Sequence, residues 1–218
     1  AVKNHQNGLL NPKAHLQKDI TIDDVMSSAV VASPLKLYDC CPFSDGASSV
    51  VLCSEKFAKA HGGDYVEVIG SGRGGSPAAL QGREHMTTIP STKIAAKAAY
   101  DMAGITAKDV DFAEVHDCFT IAEVVDTEDL GFFGKGQGIQ AIREDRTKLN
   151  SDISINPSGG LKSKGHPIGA TGVGQVVEVY DQLTGNAGAR TVKDAKIGLT
   201  HNFGATGASC AVHVFQSV

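Results

Sequence analysis

The spacing of apolar residues along the chain predicts alternating strands and helices from about residue 48 onward. Residues 48–53 (SSVVLC) are rich in Val and Leu and follow a turn-rich entry, which predicts a buried strand. Residues 66–70 predict a second strand, running into Ser71-Gly-Arg-Gly-Gly-Ser76, which reads as a glycine-rich loop. Residues 91–103 (STKIAAKAAYDMA) have helical spacing, Ser and Thr for the N-terminal cap and Gly104 for the C-terminal cap. A short turn at 106–109 leads into a strand over 110–115, which ends at His116-Asp-Cys-Phe119, and a helix over 120–130 follows. Residues 131–155 show little periodicity and read as a surface excursion. A long helix over 169–183, a strand over 195–200 and a closing strand over 208–215 complete the pattern. The first 30 residues are polar. A short helix at 22–26 is predicted there, and the rest, lacking a core pattern, is expected to lean on another body.

Composition narrows the function classes. With 218 residues, 41% hydrophobic and 20% charged, the chain suits one sizeable globular domain or two small ones. A net charge of −4 and the lack of a dense basic stripe argue against a nucleic-acid partner. No apolar run approaches the roughly 20 residues of a membrane span, and no secretory leader is visible. The five cysteines (Cys40, Cys41, Cys53, Cys118, Cys210) are odd in number and lack CxxC spacing. Neither a disulfide framework nor a metal site is expected, and reduced thiols point to a cytoplasmic setting. Cys40, Cys41, Cys53 and Cys210 read as packing residues, and His5 and His15 as surface or hydrogen-bonding histidines. The chain opens on Ala1, which reads as the remainder of something longer.

Candidate chemistry gathers in three places. Asn156-Pro-Ser-Gly-Gly-Leu-Lys-Ser-Lys-Gly-His-Pro-Ile-Gly-Ala-Thr-Gly172 sets one histidine among glycines, and the Pro after His166 keeps that residue out of helical backbone. His116 and His201 stand at strand ends, and Cys118 follows the first of them. Histidine, thiol and the backbone N–H groups of glycine-rich turns are the groups that acyl transfer and carbon–carbon chemistry beside a thioester require. Taken singly, each histidine is as well read as a structural hydrogen-bonding group, and Cys118 as a buried thiol. No functional role is assigned to His61, His85 or His213. Residues 45–52 (DGASSVVL) match 206–213 (TGASCAVH), with Gly46 and Gly207 161 positions apart (207 − 46). That match suggests a duplicated α/β unit in which each copy becomes a buried strand.

His116-Asp-Cys-Phe119, Asn156-Pro-Ser-Gly-Gly160, Gly165-His-Pro-Ile-Gly169 and His201-Asn-Phe-Gly204, in this order, resemble the thiolase superfamily, specifically its sterol-carrier-protein type and archaeal relatives. The resemblance implies a duplicated α/β thiolase-like βαβαβαββ fold, of which this chain holds the second half and the closing strands of the first. Residues 1–35 then end the loop region, 36–60 carry a closing strand of the first half, and 61–218 form the C-terminal domain. It implies that His166 activates a nucleophilic cysteine and donates to the thioester oxygen. His116 stands where the family's Asn orders a water, and Cys118 moves the α-proton. His201 and Gly204 are weaker oxyanion-site candidates. Coenzyme A thioesters are the implied substrates, with no covalent cofactor and no metal; Arg73, Lys162 and Lys164 are candidate phosphate contacts. The implied activity is an acetyl-CoA acetyltransferase or 3-ketoacyl-CoA thiolase whose nucleophile lies outside these residues. A dimer or a complementing N-terminal half is the expected partner. The alternatives are a non-catalytic acyl-CoA-binding or scaffolding subunit and a decarboxylating ketosynthase using His166 with His201.

Overall fold

The computed structural model describes all 218 residues. Two helices, α1 (Val2–Leu9) and α2 (Ile22–Ser27), precede a two-stranded ribbon of β1 (Val30–Ala32) and β2 (Leu35–Lys36). After α3 (Glu55–His61) come β3 (Val66–Gly75), α4 (Pro90–Ala103), β4 (Phe112–Glu114) and α5 (Thr120–Asp129). Next are α6 (Gly138–Arg143), β5 (Ser154–Ile155), α7 (Gly160–Ser163) and α8 (Thr171–Leu183), then β6 (Ile197–Gly204) and β7 (Ser209–Ser217). Counting α5 with α6 and α7 with α8 as single crossings, the order from β3 is βαβαβαββ. One copy of the expected unit is therefore complete.

The strands form one mixed sheet in the order β3-β7-β6-β4-β5, with β4 parallel to both β5 and β6 and the other pairs antiparallel. Alternation along the strands feeds a core on each face. Ala113, Leu199, Val212 and Val214 pack with Ala95, Ala96 and Ala99 of α4, while Phe112 and Phe215 pack with Val179 of α8. The parallel strands β4 and β6 point their C-terminal ends to one side, where functional groups collect in open α/β sheets.

Several local expectations fail for physical reasons. The run expected as a loop at 71–76 continues β3, and its glycines record contact rather than flexibility. A Cβ on Gly70, Gly72 or Gly74 would lie 2.4, 1.9 and 1.9 Å from the carbonyl oxygens of Ala99, Ala95 and Ser91. Strand positions i, i+2 and i+4 thus lie bare against helix positions one turn apart. Ser91 and Thr92 do not cap α4 but turn inward, and the Ile89 N–H is satisfied by Asp129 Oδ2 at 2.6 Å. Residues 131–155 are more than a surface excursion: they contribute α6 and β5, and bury Phe133, Ala141, Ile153 and Ile155.

The strand expected at 48–53 does not form; Val51 is 89% and Leu52 79% exposed, and Cys53 lies in solvent rather than in a core. A strand needs an edge to pair with, and nothing in residues 1–218 offers one there. The match between 45–52 and 206–213 therefore holds in sequence while only the second stretch is buried in a sheet. Cys40 and Cys41 are half-buried beside Phe119 and Cys118. The N-terminal segment packs on its own chain, as α1 lies against α7, and its His5 is fully buried with Nδ1 3.0 Å from the Lys18 carbonyl oxygen.

Candidate active site

The His116–Phe119 turn leaves the end of β4, and its position is set by the neighbouring glycine-rich turn. Asn156 Oδ1 accepts the Val115 N–H at 2.8 Å, and Asp117 Oδ1 accepts the Leu161 N–H at 2.7 Å. One residue earlier, Glu114 takes both the Ser158 N–H at 3.0 Å and the Ser158 hydroxyl at 2.6 Å. These bonds bring three of the predicted residues together. The His116 and His166 rings meet edge to face with centroids 5.1 Å apart, and Phe203 lies 4.5 Å from His116 and 5.8 Å from His201.

Each imidazole has a distinct environment. The half-buried His166 has Nδ1 2.7 Å from Thr171 Oγ1, whose hydroxyl is also 3.0 Å from the Pro167 carbonyl oxygen. A hydroxyl has one proton, and the carbonyl can only accept it. His166 Nδ1 therefore carries hydrogen and Nε2 presents its lone pair. Burial, with help from Lys164, keeps this imidazole below its ordinary pKa, so it is neutral near pH 7. His116 is 6% exposed, its Nδ1 has no partner, and burial, together with the repulsion that a protonated His166 beside it would exert, pushes its pKa down to about 3.

His201 is sealed in. Thr92 Oγ1 lies 2.9 Å from its Nε2 and donates to Cys210 Sγ at 3.6 Å, so Nε2–H is the donor and Nδ1 the acceptor of the His116 N–H at 3.5 Å. Asp126 Oδ2 is 3.6 Å from Nδ1, within ion-pair range. Burial nevertheless pushes the Asp126 acid well up and His201 down to about 3, and both shifts work against an ion pair here. Cys118 is half-buried. Burial, then Asp126, Cys41 and Asp117, pushes its thiol up to about 12, and its sulfur has no side-chain hydrogen bond. As the chain stands, Cys118 is a protonated thiol rather than a base.

Other predicted residues fall outside this cluster. Gly204 ends β6 in the exposed hairpin to β7. Lys162 is 1% exposed and its Nζ has no hydrogen-bond partner, so it cannot meet a phosphate in solvent; burial, countered by Asp117, lowers its pKa. Lys164 Nζ lies 3.7 Å from buried Glu114 Oε2, and Arg73 sits on the exposed face of β3. An apolar groove of about 790 Å³, lined by Val51, Leu52, Phe57, Val66 and Val176, and a polar one of about 470 Å³ beside Pro167 and Thr171 both omit His116, Cys118 and His166. No three His, Cys, Asp or Glu side chains converge as a metal-ligand set, and no helix is long and apolar enough to cross a membrane.

Sequence reasoning missed Thr171, which fixes the His166 proton, and the buried acids Glu114, Asp117 and Glu123. The available signal for the acids was their density around His116-Asp-Cys, with no basic residue near them in sequence.

Comparison with known proteins gives a consistent answer. Residues 72–217 match the family described as thiolase C-terminal domain-like. The chain is 46% identical over 216 residues to an acetyl-CoA acetyltransferase of Methanothermobacter thermautotrophicus, covering 99% of this chain and 56% of that protein. It is 38% identical over 211 residues to sterol carrier protein 2 of Bos taurus, covering 94% of this chain and 39% of the relative. The chain thus spans about half or less of the curated relatives it matches. Among solved structures, an Ltp2-ChsH2(DUF35) aldolase superposes with a TM-score of 0.88 at 21% identity, over 99% of this chain and 56% of that one. A monomeric SCP2-thiolase like protein from Mycobacterium smegmatis superposes with a TM-score of 0.73 at 15% identity, over 99% and 44%. These two likenesses support the thiolase-like fold.

Proposed function

Since the chain belongs to the thiolase C-terminal domain-like family, we propose that it supplies the acid/base half of a thiolase-type acyl-CoA C-acyltransferase site. The observation that carries this reading is the Thr171–His166 hydrogen bond, which leaves a neutral Nε2 lone pair beside His116. His166 Nε2 takes the proton of a cysteine thiol supplied from outside these residues, and the thiolate attacks the acyl-CoA carbonyl carbon. The resulting imidazolium hydrogen-bonds the oxyanion, and collapse of the tetrahedral adduct breaks the bond to the coenzyme A sulfur, which leaves as a thiolate and takes up the imidazolium proton, so that an acyl-cysteine and neutral His166 remain. In the condensing step, the Cys118 thiolate removes the α-proton of a second acyl-CoA, whose carbanion attacks the acyl-cysteine and frees its thiolate. His116 orders a water at the oxyanion, and sealed His201 supports the His116 turn from behind without meeting substrate.

The Cys118 thiol at about 12 requires that substrate or a completing partner lower it before it can act as a base. The same observation favours a second reading, a non-catalytic acyl-CoA-binding subunit. The exposed apolar run at Val50, Val51, Leu52 and Phe57 supports a covering partner, whether a second copy or a complementing half. The five free cysteines support a reducing, cytoplasm-like setting.

The test uses the natural polypeptide or complex that includes the nucleophile. Cys118→Ala and His166→Asn are expected to lower acyl-CoA turnover by about 10²- to 10⁴-fold with binding retained. An unchanged rate in both variants selects the binding-subunit reading. The 218 residues alone are expected to leave acetoacetyl-CoA intact, and thiol-dependent cleavage by them would refute the external nucleophile.

A further inference from the structure

Two buried carboxylates meet beneath the His116–Phe119 turn, and α1 holds both. Asn4 Nδ2 donates to Asp117 Oδ2 at 2.6 Å and to Glu123 Oε2 at 2.7 Å. An amide nitrogen has two hydrogens, so a single side chain serves both acids. Lys3 Nζ adds a contact to Glu123 Oε1 at 2.8 Å and donates to the Ile155 carbonyl at 2.7 Å. Burial pushes the Glu123 acid up, but Lys3 and these donors outweigh it and hold it ionised.

Asp117 is the link between the two turns that carry the chemistry. It lies between His116 and Cys118 in sequence, and across space it accepts the Leu161 N–H in the segment leading to His166. The N-terminal segment grips that second turn as well. The Asn7 and Asn11 side chains donate to the Asn156 and Ser158 carbonyls at 2.9 and 2.8 Å. The Leu16 and His15 N–H groups donate to the Ser163 and Lys164 carbonyls at 2.9 and 3.0 Å. The seam has no slack: a Cβ on Gly8 would fall 1.8 Å from Ser163 Oγ, and one on Gly160 2.4 Å from Asp117 Oδ2.

We propose that α1, through Lys3 and Asn4, is the positioning element that fixes the His116–Cys118 turn relative to the His166 turn, an inference that rests on the acid/base reading of those turns. Without the Asn4 amide, Asp117 and Glu123 face each other as like charges in a dry site. Asp117 then shifts away from the Leu161 N–H and carries Cys118 with it. Lys3 and Asn4 hydrogen-bond neither an imidazole nor the Cys118 thiol, so their effect passes through backbone geometry.

The test compares Lys3→Met, Lys3→Arg and Asn4→Ala in the complete natural polypeptide or complex. Turnover of acyl-CoA is measured together with the alkylation rate of Cys118 by iodoacetamide, read by peptide mass spectrometry. Lys3→Met and Asn4→Ala are expected to lower kcat by about 10- to 100-fold with KM nearly unchanged. The Cys118 alkylation rate is expected to change several-fold in both, and Lys3→Arg to restore near-normal values. Folded Lys3→Met and Asn4→Ala proteins with ordinary kcat and ordinary Cys118 alkylation overturn the proposal. Outright unfolding of both overturns it too, since the seam then holds the fold rather than the site. If the unaltered protein shows no acyl-CoA turnover, the thiolase reading fails by itself and Cys118 alkylation alone decides the positioning role.

Discussion

Val51 and Val212 hold the same place in two matched stretches, 45–52 and 206–213, yet one is 89% exposed and the other fully buried. Val212 pairs with Gly72 on one side and His201 on the other, inside a five-stranded sheet, whereas no strand forms around Val51. The difference shows that an apolar run states what a segment can do once an edge is present. It does not supply the edge. The same division runs through the site, where the candidate groups sit in the hydrogen-bonded turns after β4 and α7 and in β6 while the apolar run faces solvent.

The comparison can be broken from the buried side first. Gly72→Val drives a side chain into the Ala95 carbonyl and is expected to cost about 3 kcal/mol or more, read from urea or thermal melts. Acid is the next lever, because the buried side also holds the neutral histidines. His116 and His201 have folded pKa values lowered to about 3, so the stability they contribute is full above their unfolded pKa of 6.5 and is lost as pH falls toward 3. Glu114 and Asp117, raised to about 7 and about 6, act oppositely and lose their contribution as pH rises through those values. His116→Asn isolates the histidine effect: at pH 4.5 the variant is expected to gain about 2 to 3 kcal/mol relative to the unaltered protein, compared with the difference at pH 7.

Smaller effects sharpen the contrast. Val212→Ala is expected to cost about 2 kcal/mol, while Val51→Ala stays within about 0.5 kcal/mol. Equal effects at the two positions would mean that residues 45–52 are already covered in solution. A thiol probe should label exposed Cys53 at once and leave buried Cys210 untouched in the native state; protection of Cys53 by an added partner would locate the cover.

Elements whose local pattern and packing agree were legible in the sequence. The helix at 91–103 and the strand leading to His116 were legible because their apolar spacing matches the faces they bury. The helix at 169–183 was legible from its length and its small early residues, although its fully buried face is mostly polar, with Thr171, Gln175, Glu178 and Gln182 beside Val179. Helix α1 escaped because its buried residues are Asn4, His5, Asn7 and Gly8, which are held by hydrogen bonds and close contact rather than apolar area. His116 was expected at a strand end and does follow β4, and His166 was expected in a glycine-rich turn and does follow α7, whereas His201 lies within β6 rather than at its end. The pKa of Cys118 and the proton on His166 were not legible, since they depend on burial and on a single hydroxyl at Thr171.

The bare glycine face of β3 constrains how this protein can change over evolutionary time. Enlarging Gly72 requires something opposite to shrink, and the opposing atoms are the backbone of a helix whose facing residues are already Ser91, Ala95 and Ala99. Trimming a side chain gives nothing back, because the clash is with main-chain carbonyl oxygens. At these three positions strand and helix can change only by moving apart, so the seam between them is the part of the scaffold least open to substitution.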